Sequence, residues 1–280
     1  NRDGLVMHKF TVRGARGSMP ACNRNVLKYG GSTTCFSLQT EQGIVVFDSG
    51  TGIASVSQDL SHCSELPPIT IMFTHFHLDH LIGLPSFAPL YNPRALIRFM
   101  GDPARKDDWQ TTLRSLFSKP YWPGSLTSSG AEERFKSLPA GHNYLEIYGT
   151  RISWCQVVHP QGCLAYKLEC HDKVIVIATD HEHTQSEVAA GFLRFCRGAD
   201  VLIYDAMYTP DEYVEHIGWG HGNWRQGVQL AREAGVGELI LTHHEPTRTD
   251  SEIDDIVRQA RTFFPRTSAA AENMVVSSSS

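Results

Sequence analysis

Short runs of apolar, often β-branched residues recur along the chain, and each run ends abruptly at polar residues. Runs of this kind predict strands, here at 44–47, 69–73, 151–158, 174–178, 201–204 and 239–241. Because the runs are continuous rather than alternating, we expect these strands to be buried on both faces, between helical layers or between two packed sheets. The segments between and after them predict helices at 103–117, 184–197, 223–234 and 251–263.

Turn and cap signals delimit these elements. Residues 184–187, Thr-Gln-Ser-Glu, have the form of a capping box at a helix start. Gly235 stands where a helix C-terminal glycine is expected. Three prolines and a Ser/Thr run predict a long surface loop at 119–143, of a length that is often functional. We expect one domain at 5–265 and a disordered C-terminal tail at 266–280.

The polar residues that follow the predicted strands are histidines and aspartates. They are Asp48, His75, His159, Asp180, Asp205 and His243. Ligands of open α/β sheets bind beyond the carboxyl ends of the strands, so we expect these side chains to converge although they are distant in sequence. For Asp48 we favour a different role, in which it shapes the glycine-rich turn at 48–52 and does not bind metal.

The densest group of such residues follows the strand predicted at 69–73. His75 and His77 alternate, so both can point the same way while the backbone is extended. The chain then turns, which lets Asp79 and His80 face a second point nearby. Imidazole and carboxylate ligands without a thiolate suit Zn²⁺, Mn²⁺ or Fe²⁺. The cluster therefore predicts a metal site rather than a polar surface loop.

Composition narrows the class of protein. The 280 residues are 41% hydrophobic, and no apolar run approaches the ~20 residues that span a bilayer, so we expect no membrane segment. The net charge of −5 gives no general attraction to nucleic acid. Seven scattered cysteines without a C-x-x-C pair indicate reduced thiols and a cytoplasmic location rather than a disulfide framework.

Several motifs together resemble the metallo-β-lactamase superfamily, in particular its phosphodiesterase branch, which includes ribonuclease Z and cyclic phosphodiesterases. The resemblance covers roughly residues 10–263, and its most specific motif is the cluster from His75 to His80. The other motifs are Arg13-Gly14-Ala15-Arg16-Gly17-Ser18, Tyr29-Gly30-Gly31-Ser32-Thr33-Thr34-Cys35, Phe47-Asp48-Ser49-Gly50-Thr51-Gly52, Ala178-Thr179-Asp180, Tyr204-Asp205-Ala206, Gly220-His221-Gly222 and Leu241-Thr242-His243-His244.

The resemblance implies an α/β protein with the αββα sandwich fold, in which two mixed sheets lie face to face with helices outside. It also implies two divalent metal ions per chain, with zinc expected and manganese or iron as alternatives. The implied ligands are His75, His77 and His159 for the first ion, Asp79, His80 and His243 for the second, and Asp180 as a bridge. His244 competes with His243 for its role, and we choose His243 because it lies directly at the strand end.

Two such ions activate a water molecule and polarise the oxygens of an electrophile, which serves attack at phosphorus and also at a lactone or amide carbonyl. The resemblance implies that Asp79 orients the attacking water. It also implies that His221, paired with Asp205, donates a proton to the leaving group. A carboxylate that holds one imidazole nitrogen leaves the other available as a general acid. Many family members have Ser-Thr after this histidine and Glu in place of Asp205, whereas Gly222 and Asn223 follow it here.

The sequence therefore predicts a metal-dependent phosphodiesterase whose substrate is small, with a cyclic nucleotide or a cyclic sugar phosphate as the first choice. A lactonase or other carboxylic-ester hydrolase on the same ligands is one alternative, and a non-catalytic nucleotide-binding protein is another. Transfer RNA is not expected as substrate, because the chain has no long Gly- and Lys/Arg-rich arm and is acidic overall. By resemblance, a homodimer is expected.

Two sets of residues keep alternative interpretations. Tyr121, Trp122 and Trp219 could stack on a base, or they could pack in the core or at a dimer interface. Residues 181–183, His-Glu-His, could contact the ligands or the substrate, or they could form a solvated polar turn.

Overall fold

A computed structural model of the protein describes residues 8–102, 108–124, 126, 135–139, 141–170 and 173–276. Within these residues, fourteen strands form two seven-stranded sheets, which face each other across a shared apolar layer. Helices cover the outer face of each sheet. The predicted αββα sandwich of two mixed sheets is confirmed.

The first sheet contains strands from both ends of the described chain. They are β1 (Lys9–Gly14), β2 (Cys35–Gln39), β3 (Ile44–Phe47), β4 (Ile69–Met72), β5 (Ile97–Gly101), β6 (Phe135–Ser137) and β14 (Val275–Val276). The strand order is β14-β1-β2-β3-β4-β5-β6. From β3 to β6 the strands run parallel, whereas β14, β1, β2 and β3 pair antiparallel. The parallel half therefore places its carboxyl ends along one edge of the sheet.

The second sheet repeats this division into a parallel and an antiparallel half. Its strands are β7 (Tyr144–Ile147), β8 (Thr150–Val157), β9 (Cys163–Cys170), β10 (Lys173–Ala178), β11 (Val201–Asp205), β12 (Glu238–Thr242) and β13 (Thr267–Ala269). The order is β13-β12-β11-β10-β9-β8-β7. Strands β10 to β13 run parallel, and β7 to β10 pair antiparallel.

The helices lie outside the sheets. They are α1 (Ile53–Leu60), α2 (Trp109–Ser115), α3 (Glu187–Cys196), α4 (Pro210–Tyr213), α5 (Trp224–Ala234) and α6 (Asp250–Arg261), with 3₁₀ turns at Arg24–Val26, Leu78–His80, Leu84–Ser86 and Ala88–Tyr91. The apolar faces of α1 and α2 pack on the first sheet, and those of α3, α5 and α6 pack on the second. Among the described residues, no helix combines the length and apolar character needed to cross a membrane.

Side chains from both sheets fill the layer between them and join the sheets next to the histidine cluster. Phe47 of β3 meets Tyr166 of β9, with the ring centroids 5.3 Å apart. The buried Tyr166 hydroxyl donates a 2.7 Å hydrogen bond to the carbonyl of Phe73. One residue further, the Leu164 amide donates to the carbonyl of Thr74 at 3.0 Å. The second sheet thus fixes the backbone that leads directly into His75.

The predicted core strands agree closely with the structure. The runs at 44–47, 69–73, 151–158, 174–178, 201–204 and 239–241 correspond to β3, β4, β8, β10, β11 and β12. Gly235 ends α5 in the left-handed conformation, at φ 67° and ψ 39°, as its position predicted. The helix predicted at 184–197 instead begins at Glu187, because the Ser186 side chain caps it by accepting from the Ala189 amide.

Two predictions of irregular structure were wrong. Residues 266–276 were assigned to a disordered tail, yet β13 extends the second sheet beside β12 and β14 pairs with β1 of the first sheet. The loop predicted at 119–143 contains β6, which pairs with β5. Each of these strands has only two or three residues, so its order depends on a neighbouring strand rather than on its own pattern. Residues 103–107, 125, 127–134, 140 and 277–280 of the predicted elements lie outside the described residues.

Candidate metal centre

The strand ends of the two sheets converge as predicted. After β4 the chain is still extended at His77, with φ −68° and ψ 154°, and then forms the 3₁₀ turn Leu78–His80. This extended-then-turned path presents the cluster's four polar side chains to two adjacent points. From the second sheet, the ends of β8, β10 and β12 bring His159, Asp180 and His243 to the same place.

One group of potential ligands consists of His75, His77, His159 and Asp180, whose nearest side-chain atoms all lie within 4.8 Å of one another. His159 Nε2 is 3.2 Å from His77 Nδ1, and His75 Nε2 is 3.6 Å from Asp180 Oδ1. The far ring nitrogen of His77, Nε2, lies 3.2 Å from the Gln161 side-chain oxygen. Three imidazoles and one carboxylate are a donor set that suits Zn²⁺ and other transition-metal cations.

The second group consists of Asp79, His80, Asp180 and His243, again within 4.8 Å of one another. His80 Nε2 lies 3.0 Å from Asp180 Oδ2 and 3.3 Å from Asp79 Oδ2. His243 Nε2 is 3.4 Å from Asp180 Oδ1. Asp180 belongs to both groups, which is the position that a bridging carboxylate requires.

The buried atoms at the centre of these groups fit bound cations. His75 Nε2, His80 Nε2, His243 Nε2 and Asp180 Oδ2 make no hydrogen bond within the described part of the chain, although they are shielded from solvent. Buried polar atoms are otherwise nearly always hydrogen-bonded. Four such atoms directed at one small volume form a set of donors that fits a metal ion, because a cation accepts the lone pairs that these atoms offer.

Electrostatics in the cluster favour positive charge. Asp180 is fully buried, which by itself would raise its pKa, but His243, His80 and His75 hold the pKa well below its usual range. Burial opposes the charged form of His80, yet the carboxylates of Asp180, Asp79 and Asp48 raise its pKa well above its usual value. The pKa of His75 is lowered, mainly by burial and also by His80. The carboxylates thus stay ionised in a buried pocket, where a cation is stabilised.

Asp48 lies outside both groups and acts on a ligand candidate. Its Oδ2 accepts 2.8 Å hydrogen bonds from His80 Nδ1 and from the Thr74 hydroxyl, and its Oδ1 accepts from the Thr74 amide at 2.8 Å. The role predicted for Asp48, in the turn at 48–52, did not include this contact with His80. No local signal identifies it, because β3 and β4 must first pair.

The other ligand candidates are also held by groups outside the two sets. Gly220 carbonyl oxygen accepts from His159 Nδ1 at 2.7 Å, and Thr34 Oγ1 lies 3.2 Å from His243 Nδ1. The Ser18 amide donates to Asp79 Oδ2 at 2.9 Å. Such contacts fix the ring orientation and tautomer of metal-binding histidines. Sequence reasoning found none of them, because the partners lie far apart along the chain.

Backbone strain coincides with the site. Asp48, Asp180 and His243 adopt positive φ values of 59°, 51° and 59°. Residues other than glycine rarely take this conformation, which costs of order 1–3 kcal/mol and persists where surrounding structure enforces it. At Asp180 and His243 the strained backbone directs the side chain to the two groups of potential ligands.

The predicted pair of His221 and Asp205 lies beside the second group. His221 Nδ1 donates to Asp205 Oδ2 at 2.9 Å, and its ring stacks on that of His243 with centroids 4.9 Å apart. Asp205 is completely buried and also accepts from the backbone amides of Met207 and His181. Although burial disfavours the imidazolium, the Asp205 carboxylate raises the pKa of His221 to about 9.

The positions of His244, His181, Glu182 and Trp219 decide between the interpretations that the sequence left open for them. His244 points away from the cluster, with Nε2 2.9 Å from the carbonyl of Ala270, so His243 is the residue that joins the second group. His181 and Glu182 are buried and do not form a solvated turn. Trp219 is exposed, which excludes a core position for it within this chain.

Comparison with known proteins identifies the family. A model described as the beta-lactamase superfamily domain matches residues 44–244, well over half of the chain, and spans both ligand groups. The chain belongs to the beta-lactamase superfamily. This membership confirms the resemblance, and with it the predicted class of metal-dependent hydrolase.

Similar proteins cover nearly the whole chain. Ribonuclease BN of Escherichia coli is 27% identical in an alignment that is 308 positions long and covers 94% of this chain and 98% of that protein. The metallo-beta-lactamase fold protein YhfI from Bacillus subtilis has 22% identity and a TM-score of 0.72, covering 96% of this chain and 99% of its own. A diphosphatase from the PhnP family has 17% identity and a TM-score of 0.70, covering 97% and 98%. At these identities the two structures establish a shared fold alone.

Proposed function

We propose that the protein is a phosphodiesterase that uses two divalent metal ions, with zinc as the expected metal, to hydrolyse a small phosphodiester. His75, His77 and His159 would hold one ion, Asp79, His80 and His243 the other, and Asp180 would contact both. When bound, two such ions supply a water nucleophile at neutral pH and neutralise charge on the phosphoryl oxygens. The remaining chemistry falls to side chains of this protein.

Asp79 and His221 have different roles, the first at the attacking water and the second at the leaving group. Asp79 Oδ2 is held by the Ser18 amide and faces His80 and His243, so it can orient the attacking water. His221 carries the proposal for phosphorus chemistry. The Asp205 carboxylate accepts from Nδ1 and, against the effect of burial, raises the pKa of His221, which stabilises the imidazolium form; Nε2 is then the nitrogen that can donate a proton to the leaving alkoxide.

Two observations support a small phosphodiester. The relative that covers nearly the whole chain is named as a ribonuclease, an enzyme that cleaves the phosphodiester bonds of RNA, and one structural neighbour is named as a diphosphatase. The net charge of −5 does not favour a large polyanion such as transfer RNA. A cyclic nucleotide or a cyclic sugar phosphate meets both conditions. We also expect a homodimer, which sedimentation analysis of the purified protein would establish or exclude.

The direct test combines metal analysis with a substrate screen on one zinc-loaded sample. We expect about two ions per chain, and metal-dependent turnover of cyclic mononucleotides or of a bis-aryl phosphate, with a lactone panel run in parallel. If no phosphodiester is hydrolysed, the proposal fails. Turnover confined to lactones would favour the carboxylic-ester alternative.

Substitution of the proposed general acid separates these chemistries. His221→Ala should lower kcat on a phosphodiester with an alkyl leaving group by about 10²- to 10⁴-fold while the metal content is retained. The control is His62→Ala, an exposed histidine outside the site. An unchanged rate in the His221 variant would contradict its role as the acid.

A further inference from the structure

One segment beside the site carries an exposed tryptophan that the catalytic proposal does not use. Residues 207–221 connect the end of β11 with His221 and include α4. Trp219 immediately precedes Gly220, whose carbonyl oxygen receives the hydrogen bond from His159 Nδ1. Trp219 is therefore adjacent in sequence to a backbone group that contacts a candidate ligand, and 62% of its surface is exposed.

A series of ring contacts leads from the candidate acid to this tryptophan. The rings of His221 and Tyr208 meet at 6.2 Å with an interplanar angle of 76°. Tyr208 stacks on His216 at 4.4 Å, and His216 meets the edge or face of Trp219 at 5.0 Å with an angle of 80°. These four rings form a continuous aromatic wall from the reaction site to the surface.

The backbone on both sides of Trp219 is fixed by one buried carboxylate. Glu182 Oε1 accepts from the amide of Gly218 at 2.7 Å and from the hydroxyl of Tyr213 at 2.9 Å. Glu182 Oε2 accepts from the amide of Gly220 at 2.9 Å. A tryptophan held in this way loses little conformational entropy when a ligand stacks on it, because its backbone is already ordered.

We propose that Trp219 forms a binding subsite for a flat aromatic group of the substrate, such as a nucleobase. An exposed indole offers a large face for stacking, and every base has a matching π face. The proposal rests on the phosphodiesterase function and narrows its substrate class to nucleotides over sugar phosphates. The ordered wall would place the base at the end away from His221, with the phosphodiester at the metal groups.

Two substrates and one product test this subsite on the zinc-loaded protein. Trp219→Ala should raise KM for adenosine 3′,5′-cyclic monophosphate by about 5- to 150-fold with little change in kcat. Its KM for glycerol 1,2-cyclic phosphate, which has no aromatic group, should stay unchanged. Trp219→Phe should retain most of the affinity. Val214→Ala, an exposed apolar residue on the same segment, is the matched control.

Calorimetric binding of adenosine 5′-monophosphate gives a readout that does not depend on turnover. We expect the same loss of affinity in Trp219→Ala and none in Val214→Ala. If Trp219→Ala leaves the KM for the cyclic nucleotide or the affinity for adenosine 5′-monophosphate unchanged, the subsite is refuted. The phosphodiesterase proposal then remains intact. Conversely, a native protein that hydrolyses no phosphodiester but binds the nucleotide through Trp219 would refute the proposed function and support the subsite.

Discussion

The two sheets supply the candidate site in different ways. The first sheet contributes four of the seven potential ligands from one strand end, within the six residues from His75 to His80. The second sheet contributes His159, Asp180 and His243 singly, from the ends of three strands. A local cluster is recognisable along the chain, whereas dispersed ligands become neighbours only through strand pairing. The second sheet's contribution therefore depends more on the tertiary structure.

The ligands of the two sheets are also supported differently. His80 is held directly by the carboxylate of Asp48, which belongs to the end of the neighbouring strand. His159 is held by the carbonyl of Gly220, and Gly220 in turn is held by Glu182. The support of His80 is a single hydrogen bond to a carboxylate, whereas the support of His159 runs through the backbone of the segment 207–221, which Glu182 holds in place.

The largest effect is expected at the residue that both groups share. Asp180→Ala removes the carboxylate that contacts both sets of histidines, so we expect loss of both ions and a fall in activity of more than about 10⁴-fold, beyond that of a single proton-transfer group. Metal analysis and single-turnover assays measure this. Asp200→Asn is the control, since Asp200 accepts from the Val174 amide at the opposite end of β10. Full metal content in Asp180→Ala would contradict the bridging role.

A smaller effect is expected where the first sheet's cluster is supported. Asp48→Asn removes the negative charge beside His80 Nδ1 and replaces one of the two oxygens that accept from His80 and Thr74 with an NH2 donor, so metal affinity should fall by about 10- to 100-fold. Competition with a chromophoric chelator measures the affinity of each site. Asp59→Asn, at an exposed partner of Arg13, serves as control. If Asp48→Asn binds both ions as the parent does, this support is not needed.

The relay on the second sheet's side should be less sensitive. In Glu182→Gln, an amide group replaces one of two oxygens that together accept three hydrogen bonds, so Gly220 and His159 shift and affinity at the first group should fall by about tenfold. Glu212→Gln is the matched control, because Glu212 binds Thr209 and Arg248 at the start of the same segment. An equal loss in both variants would indicate general loosening rather than positioning of His159.

The smallest effect is expected at a neutral contact between the sheets. Thr34→Val removes the hydroxyl beside His243 Nδ1 while keeping the side-chain shape, which should cost about 0.5–1 kcal/mol, or a two- to fivefold loss of affinity at the second group. Thr11→Val is the control, since this buried hydroxyl makes no hydrogen bond among the described residues. A loss as large as that of Asp48→Asn would show that the two supports are equivalent.

Each sheet has a parallel and an antiparallel half, and this difference explains most of which strands could be predicted. Strands β3, β4, β10, β11 and β12 lie in the parallel halves and are buried on both faces, so their continuous apolar runs are visible in the sequence. Strands β1, β2 and β9 carry polar residues among apolar ones, such as Arg13 and Lys167, and were not predicted. Strand β8 of the antiparallel half was predicted although its run is only partly buried. The shortest strands, β13 and β14, have no pattern of their own.

By itself, the sequence determined the fold class, the strand ends and the set of histidines and aspartates that meet there. Buried strands are visible as continuous apolar runs, and potential ligands are visible as the histidines and aspartates that follow them. Only the tertiary structure decided that His243 rather than His244 joins the cluster, and that Asp48 and Thr34 hold their histidines. It also revealed the aromatic wall from His221 to Trp219. These features depend on side-chain direction and on contacts between distant segments, which residue order does not encode locally.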